Sequence, residues 1–283
     1  MPEVSHWKID TYSLQGDGEW NEDALVINEA AFVYGVVDGA TSLSAYRNPD
    51  GWTGGYIAAQ LAAAHFMGMN PDQKLEQIAA EANLALRQQM VVEGVDTEEA
   101  SNRWSAALVM VQIHEYSIDY VQAGDCMLLA RYKDGTVRAL THPQLAHVDR
   151  KTLGKMAELR AEGVSDPAEL RRRLTPLLKG NRAIANTPAG YGVLNGDPRF
   201  PQFLEKGTFN RANLESLYMF SDGLYTDESA WTDLTGELDR VGAENYARAL
   251  YDKEQGDRML LEVPRLKVSD DKTCVVLHLS RMD

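Results

Sequence analysis

Four apolar segments between residues 104 and 140 follow one another with only turn-sized gaps between them. They span residues 106–113, 117–121, 127–132 and 137–140, and each has the length and pattern of a β-strand. Parallel strands need crossover connections of about a dozen residues or more, so gaps this short predict antiparallel pairing. The last gap, Lys133-Asp-Gly-Thr136, predicts a hairpin with a type I′ turn, because Asp-Gly supplies its positive φ angles.

Helical patterns are gathered in runs that are separate from most of the strands. Helical periodicity covers residues 56–67, 75–92, 148–162, 167–179, 228–238 and 243–251. Further strands are predicted at residues 7–14, 24–27, 31–37, 217–220 and 273–279. This arrangement is typical of an α+β sandwich and not of a doubly wound parallel sheet. No linker divides the chain, so we expect one domain over residues 1–283, with an insert at about 144–209.

Composition disfavours several classes of function. The net charge of −14 argues against nucleic acid as a partner, because phosphate backbones require clustered Lys and Arg. No apolar stretch approaches the roughly 18 residues of a membrane span, and the first eight residues lack the pattern of a secretory signal. We therefore expect a cytoplasmic protein without a membrane partner. Cys126 and Cys274 lie in apolar strand patterns, which indicates small core residues.

Three aspartates stand at the ends of apolar strand segments. Asp38 and Asp222 each follow such a segment and precede a glycine, and Asp270 stands just before another segment. Asp134 also precedes a glycine, but turn chemistry alone explains it, whereas Asp38 and Asp222 lack the return strand of a tight hairpin. A carboxylate at the rim of a core is costly unless a cation or hydrogen-bond donors neutralise it. The three aspartates therefore indicate a metal site.

Three more acidic residues recur in similar positions. Glu22 and Asp23 precede a strand, and Asp125 lies in the turn-like Ala123-Gly-Asp-Cys126. Each of them, taken singly, is also explained as a solvated loop residue. Taken together, carboxylates without histidine or cysteine suit hard ions, so Mg²⁺ or Mn²⁺ is favoured over Zn²⁺ or copper. The six histidines show no metal-ligand spacing.

Five short motifs follow one another along the chain. They are Asn21-Glu-Asp-Ala24, Val36-Val-Asp-Gly39, Ala123-Gly-Asp-Cys126, Phe220-Ser-Asp-Gly-Leu224 and Asp270-Asp-Lys-Thr-Cys-Val-Val276. In this order they resemble the metal-dependent protein serine/threonine phosphatases of type 2C, in a divergent bacterial form. The resemblance spans nearly the whole chain. It implies a four-layer α-β-β-α sandwich, in which two antiparallel sheets are flanked by helices and a metal centre lies at one end.

The resemblance also implies roles for the acidic residues. Asp38 would bridge two Mn²⁺ or Mg²⁺ ions, and the backbone carbonyl of Gly39 would bind one of them. Asp222 and Asp270 would complete the ligands of this pair.

Three further residues would lie around these ligands. By the same resemblance, Asp23 would hold metal-bound water and Glu22 would support it. Asp125 matches a position that helps to bind a third, weaker ion in bacterial members. Thr226 stands where some relatives carry another acidic residue, which weakens the case for that third ion.

Two residues of the family pattern are missing. Many members carry a phosphate-binding arginine where this chain has Gly18, and a histidine that can protonate the leaving group where it has Ala40. Arg182, beside the Gly-rich stretch 186–198, is our candidate for the replacement phosphate contact. An exposed loop arginine with no such role is the alternative.

The resemblance implies a phosphatase that removes phosphate from serine or threonine in proteins, through a hydroxide bridging two ions, and so opposes a serine/threonine kinase. Two alternatives stay open. Gly18 and Ala40 also fit a catalytically weak relative that binds or regulates a phosphorylated partner, although a binding module has no need for a cluster of repelling carboxylates. The other alternative is a phosphatase of small phosphate esters, since the shape of the insert decides the size of the substrate.

Overall fold

Two five-stranded antiparallel sheets form the centre of the molecule. The structure is a computed structural model, and it describes residues 7–41, 43, 46–226, 230–263 and 265–279. The first sheet has the order β1 (Lys8–Leu14), β10 (Lys272–His278), β9 (Leu214–Phe220), β6 (Met127–Tyr132) and β7 (Val137–Ala139). The second sheet has the order β2 (Asp23–Asn28), β3 (Val33–Gly39), β4 (Ala106–Ile113), β5 (Ser117–Ala123) and β8 (Glu205–Asn210).

Helices cover the outer faces of both sheets. Helices α1 (Gly54–Met67) and α2 (Leu75–Val92) pack on the second sheet, and α5 (Trp231–Val241) and α6 (Ala243–Gly256) pack on the first. Helices α3 (Ala146–Ala161) and α4 (Pro167–Ala183) pack against each other. The predicted α+β sandwich is therefore confirmed. Among the described residues, none of the helices combines the length and apolarity needed to cross a membrane.

The central strands are apolar on both faces because each face is buried against a different layer. In β4, Leu108 and Met110 face the α1–α2 layer, whereas Val109 and Val111 face the other sheet. Successive side chains of a strand point to opposite faces, so a strand between two layers reads as a continuous apolar run. Cys126 and Cys274 are both buried and unpaired, as predicted.

The structure differs from the sequence predictions at one turn. The hairpin between β6 and β7 is present, but its predicted type I′ turn is wrong, because Gly135 has a φ of 84° while Asp134 keeps a negative φ. A type I′ turn joins strands through two residues, and four residues separate these two strands.

One strand and one helix end also differ from the predictions. Strand β8 was not predicted, and it begins within the range 144–209 assigned to an insert. Helix α4 continues to Ala183, so Arg182 belongs to its last turn and is not in a loop. Helix α5 begins at Trp231, and the predicted start near Glu228 lies outside the described residues.

Candidate metal centre

The ends of five strands meet at one end of the sandwich, and each brings a predicted acidic residue. Asp23 begins β2 and lies directly opposite Asp38 of β3. Asp125 lies in the turn between β5 and β6. Asp222 follows β9, and Asp270 precedes β10. Asp23 and Asp38 thus lie at strand ends of the second sheet, and Asp222 and Asp270 lie next to strand ends of the first. Asp125 lies on the connection between the two sheets.

Pairing of the strands explains why these ends coincide in the first sheet. Phe220, the last residue of β9, lies opposite both Met127 of β6 and Cys274 of β10. Since neighbouring strands lie about 5 Å apart, the residues just beyond these positions are neighbours in space. The sequence positions alone could not show that Asp125, Asp222 and Asp270 share one edge.

The acidic side chains repel one another strongly. Burial raises the pKa of Asp38 well above its ordinary value, and repulsion from Asp23, Asp222, Asp125 and Asp270 raises it further. Burial and the charge of Asp270 raise the pKa of Asp222 to about 6, although a hydrogen bond with Asp38 acts against the shift. Such mutual effects arise between carboxylates that lie near one another in a buried, poorly screened region. The structure therefore brings the predicted cluster together.

Ser221 ties Asp23 to the opposite sheet. Its hydroxyl donates to Oδ2 of Asp23 at 2.8 Å and accepts the backbone N–H of Thr273 at 3.0 Å. Ser221 is fully buried. Burial and the charge of Asp271 nevertheless raise the pKa of Asp23 well above its ordinary value. One serine thus fixes a carboxylate of the second sheet against two strands of the first.

Glu22 is buried, and its carboxylate binds two threonine hydroxyls, one of them at the start of α1. One oxygen accepts the hydroxyl of Thr53, and the other accepts that of Thr41 at 3.0 Å. Thr53 is the N-cap of α1, and its hydroxyl also accepts the backbone N–H of Tyr56. The contacts fit the supporting role predicted for Glu22, because they hold the loop after β3 against the helix.

Asp270 and Asp271 have different surroundings. Asp271 accepts the backbone N–H groups of Gly16 and Glu22, both at 2.7 Å, so its carboxylate holds the N-terminal loop. Asp270 accepts the ammonium of Lys267 at 2.6 Å. Burial alone would raise the pKa of Asp270, but the charge of Lys267 holds it below its ordinary value. Both carboxylates act on the cluster, since the charge of Asp270 raises the pKa of Asp222 and that of Asp271 raises the pKa of Asp23.

The donor set fits a hard divalent ion. It consists of carboxylate oxygens with no histidine or cysteine, which Mg²⁺ and Mn²⁺ prefer. In the arrangement seen here, no three acidic, histidine or cysteine side chains of the described residues converge closely enough to hold one ion. Asp23 and Asp270 are turned towards Ser221 and Lys267 instead. A cation between the carboxylates would reduce both the cost of burying their charges and their mutual repulsion.

Gly39 lies at the closest approach of β3 to α1. A Cβ atom at this position would lie 2.3 Å from the carbonyl oxygen of Gly55 and 2.6 Å from that of Glu22. Both distances are too short for any side chain, so glycine is required here. The close packing fixes the backbone next to Asp38, where the sequence predicts a carbonyl ligand.

Arg182 reaches the same end of the sandwich from the last turn of α4. Its guanidinium donates to the hydroxyl of Ser105 and, at 3.2 Å, to the carbonyl of Thr41. The carbonyl of Ser105 in turn accepts the N–H of Ala40, two residues after Asp38. Arg182 is therefore partly buried beside the cluster and is not a free surface residue.

Sequence reasoning missed three residues around the site. Ser221 is adjacent to Asp222 in the sequence, but its bond to Asp23 spans the two sheets. The hydroxyl of Tyr225 donates to the carbonyl of Asp125 at 2.7 Å and fixes that turn. Lys267 precedes Asp270 by three residues, a spacing at which side chains can meet in a helix or in a turn. That spacing is the one local signal among the three.

Known proteins resemble the chain in sequence pattern and in fold. A family model described as protein phosphatase 2C matches residues 12–253. Among curated proteins, none matches the chain in sequence.

Three solved structures illustrate the likeness in fold. PppA, described as a key regulatory component of T6SS in Pseudomonas aeruginosa, is 17% identical with a TM-score of 0.59, covering 97% of this chain and 98% of that one. The catalytic domain of the serine/threonine protein phosphatase PstP, in complex with two manganese ions, is 17% identical with a TM-score of 0.60, covering 96% and 98%. Stp1 from Staphylococcus aureus, a serine/threonine phosphatase, is 14% identical with a TM-score of 0.55, covering 99% and 98%. At these identities the likeness shows the fold alone.

Proposed function

Because the chain belongs to the protein phosphatase 2C family, we propose that it hydrolyses phosphoserine and phosphothreonine monoesters in proteins with two Mn²⁺ or Mg²⁺ ions. The observation that carries the proposal is that buried carboxylates from both sheets lie at one end of the sandwich, where burial and mutual repulsion raise the pKa values of Asp38 and Asp222. A structure of similar fold, PstP, holds two manganese ions. A serine/threonine kinase would supply the phosphorylated protein.

In this proposal the chain mainly positions the ions. Asp38, Asp222 and Asp270 are the main ligands, and the carbonyl of Gly39 is a further one. Bound ions supply an activated water and stabilise the negative charge that develops on the phosphoryl oxygens. Asp23, held by Ser221, orients water at the centre, and Glu22 supports it through the start of α1. Asp125 is the candidate ligand of a third, weaker ion.

Arg182 is proposed as the phosphate contact that Gly18 does not provide. A guanidinium has five N–H donors in a planar fork. Arg182 uses two of them to bind Ser105 and Thr41, so further N–H groups can bind an anion. We expect Arg182→Ala to raise KM for a phosphothreonine peptide by about tenfold while changing kcat much less, because one charge-assisted hydrogen bond is lost. Steady-state kinetics measure this, with Arg171→Ala, on the exposed face of α4, as the control. An unchanged KM would remove Arg182 from the proposed site.

Hydrolysis assays test the proposed function. The substrates are a phosphothreonine peptide and p-nitrophenyl phosphate, each with Mn²⁺ and with EDTA. We expect the wild type to require Mn²⁺, and Asp222→Asn to lose at least about a hundredfold in kcat, because a ligand of the ions is removed. Asp134→Asn is the matched control, since that aspartate only closes the β6–β7 turn.

The outcomes separate the alternatives. Hydrolysis of the small ester without the peptide would favour a phosphatase of small phosphate esters. Binding of Mn²⁺ with no hydrolysis of either substrate would contradict the proposal and favour a relative that binds or regulates a phosphorylated partner. The retained carboxylates count against such a binding relative, because the cluster lowers stability and a binding module has no need for it.

A further inference from the structure

One cation already contacts the acidic cluster. The ammonium of Lys267 lies 2.6 Å from Oδ1 of Asp270. The same oxygen accepts the backbone N–H of Asp271 at 2.9 Å. The Lys267 and Asp270 side chains are 32% and 34% exposed, so this ion pair lies at the solvent-facing side of the cluster.

The ammonium also acts on carboxylates beyond its direct partner. Burial acts to lower the pKa of Lys267, but the charges of Asp270, Asp222 and Asp38 outweigh it and raise that pKa. In return, the charge of Lys267 lowers the pKa of Asp222 against the effect of burial. The charge of Lys267 therefore interacts with three proposed metal ligands, and its ammonium contacts one of them, Asp270.

Other cations near the site are held by different partners. Lys272 is fully buried; its ammonium binds Glu254 at 2.6 Å and donates to the backbone carbonyl of Asp270, not to its carboxylate, at 2.9 Å. Arg182 donates to Ser105 and Thr41. Within the described part of the chain, Lys267 is the one Lys or Arg that forms an ion pair with a proposed metal ligand. Its flexible four-carbon stem allows the ammonium to leave without moving the backbone.

We propose that Lys267 is an internal counter-ion of the metal-free centre and that a metal ion must displace its ammonium from Asp270 in order to bind. Oδ1 of Asp270 already has two donors, so an ion that takes this oxygen as a ligand replaces the ammonium. Lys267 thereby sets the metal concentration at which the centre is filled. This inference rests on the metal centre of the proposed function.

Calorimetric titration of the full chain with Mn²⁺ alone tests the inference. Lys267→Met removes the competing cation and leaves the carboxylates more repulsive, so we expect it to bind Mn²⁺ about tenfold more tightly than the wild type. Without metal the same variant should have a lower melting temperature, because the cluster has lost its counter-ion. Lys267→Arg keeps a cation and should bind Mn²⁺ close to the wild-type affinity.

Controls keep the test independent of catalysis and of folding. Lys206→Met removes an exposed ion pair with Glu76, far from the centre, and should change neither quantity. Circular dichroism shows whether each variant is folded, and Lys267→Gln replaces Lys267→Met if the latter is not. Mn²⁺ binding that is unchanged or weaker in the folded neutral variant overturns the inference, whatever the phosphatase assay shows. Failure of the wild type to bind Mn²⁺ overturns the metal centre itself.

Discussion

The buried carboxylates of this molecule differ in the groups that surround them. Asp271 is satisfied by two backbone N–H groups and serves the fold. Asp38 faces four other aspartates, and burial together with their charges raises its pKa. Burial raises the pKa of Asp271 as well, but its two backbone hydrogen bonds act against that shift, whereas the main neighbours of Asp38 are other carboxylates. At the scale of the residue, adjacent Asp270 and Asp271 differ in their partners, since Asp270 accepts an ammonium and Asp271 accepts two backbone N–H groups.

The raised pKa values predict how the metal-free protein responds to pH. Asp222 has a pKa of about 6 in the folded state, mainly from burial and then from Asp270, against about 3.9 in an unfolded chain. Between these values the folded state holds the extra proton, so the free energy of unfolding falls as pH rises from about 4 to about 6. The lowered pKa of Asp270 has the opposite effect, and that effect is confined to lower pH.

Urea denaturation in EDTA at pH 4.5 and 6.5 measures this dependence. We expect the wild type to lose about 2 kcal/mol over the interval and Asp222→Asn to lose less, because one titrating group is gone. Saturating Mn²⁺ at pH 6.5 should restore stability. A wild type that becomes more stable with pH in EDTA would show that the carboxylates are not mutually repelling in the folded state.

At the scale of the element, strand ends place the site and helix starts hold it. The end of β3 packs so closely on α1 that Gly39 has no room for a Cβ atom. Glu22 then joins the start of β2 to the N-cap of α1 through Thr53. A change at this junction should affect stability and metal binding together.

Gly39→Ala tests the junction between β3 and α1. We expect a loss of about 2–4 kcal/mol in the free energy of unfolding, because the contacts with the Gly55 and Glu22 carbonyls force the backbone to move. Mn²⁺ affinity should fall as well, since Asp38 is adjacent. Gly236→Ala is the control within α5, where no atom lies within 4 Å of the new Cβ, and it should stabilise by about 0.5–1 kcal/mol. Equal stability of the two variants would mean that the junction can relax freely.

At the scale of the whole molecule, a buried ion pair joins the outer helix layer to the metal centre. Lys272 begins β10 and binds Glu254 of α6 at 2.6 Å, with no exposure of the lysine side chain. Its ammonium also donates to the carbonyl of Asp270 at 2.9 Å. Helix α6, in the outer layer, thus helps to fix the backbone at Asp270 through Lys272.

Lys272→Met should cost about 3 kcal/mol of stability, because it leaves the partly buried charge of Glu254 with only the hydroxyl of Ser269 as a donor. The double variant Lys272→Met/Glu254→Gln should cost less than the single one, since no unpaired charge is left. Chemical denaturation of both measures the difference. Lys253→Met, at an exposed position of the same helix, should change stability little. A double variant that is no more stable than the single one would show that Glu254 is not the partner that matters.

Much of this architecture could be predicted from the sequence because most of its signals are local. Buried strands read as apolar runs, and the aspartates at their ends stand out. Strand β8 could not be predicted in this way, because its residues alternate between partly buried and exposed and include few apolar ones. The contacts of Ser221 with Asp23 and of Lys272 with Glu254 join residues far apart in sequence, so no local pattern shows them.

Anomalous diffraction from crystals grown with Mn²⁺ would locate the ions directly. We expect two strong peaks at the end of the sandwich where the five strand ends meet, with Asp38 contacting both ions and with Asp222 and Asp270 as further ligands. The ammonium of Lys267 should then lie away from Asp270. Peaks elsewhere on the molecule, or none between these carboxylates at saturating Mn²⁺, would contradict the assignment of this cluster as the metal centre.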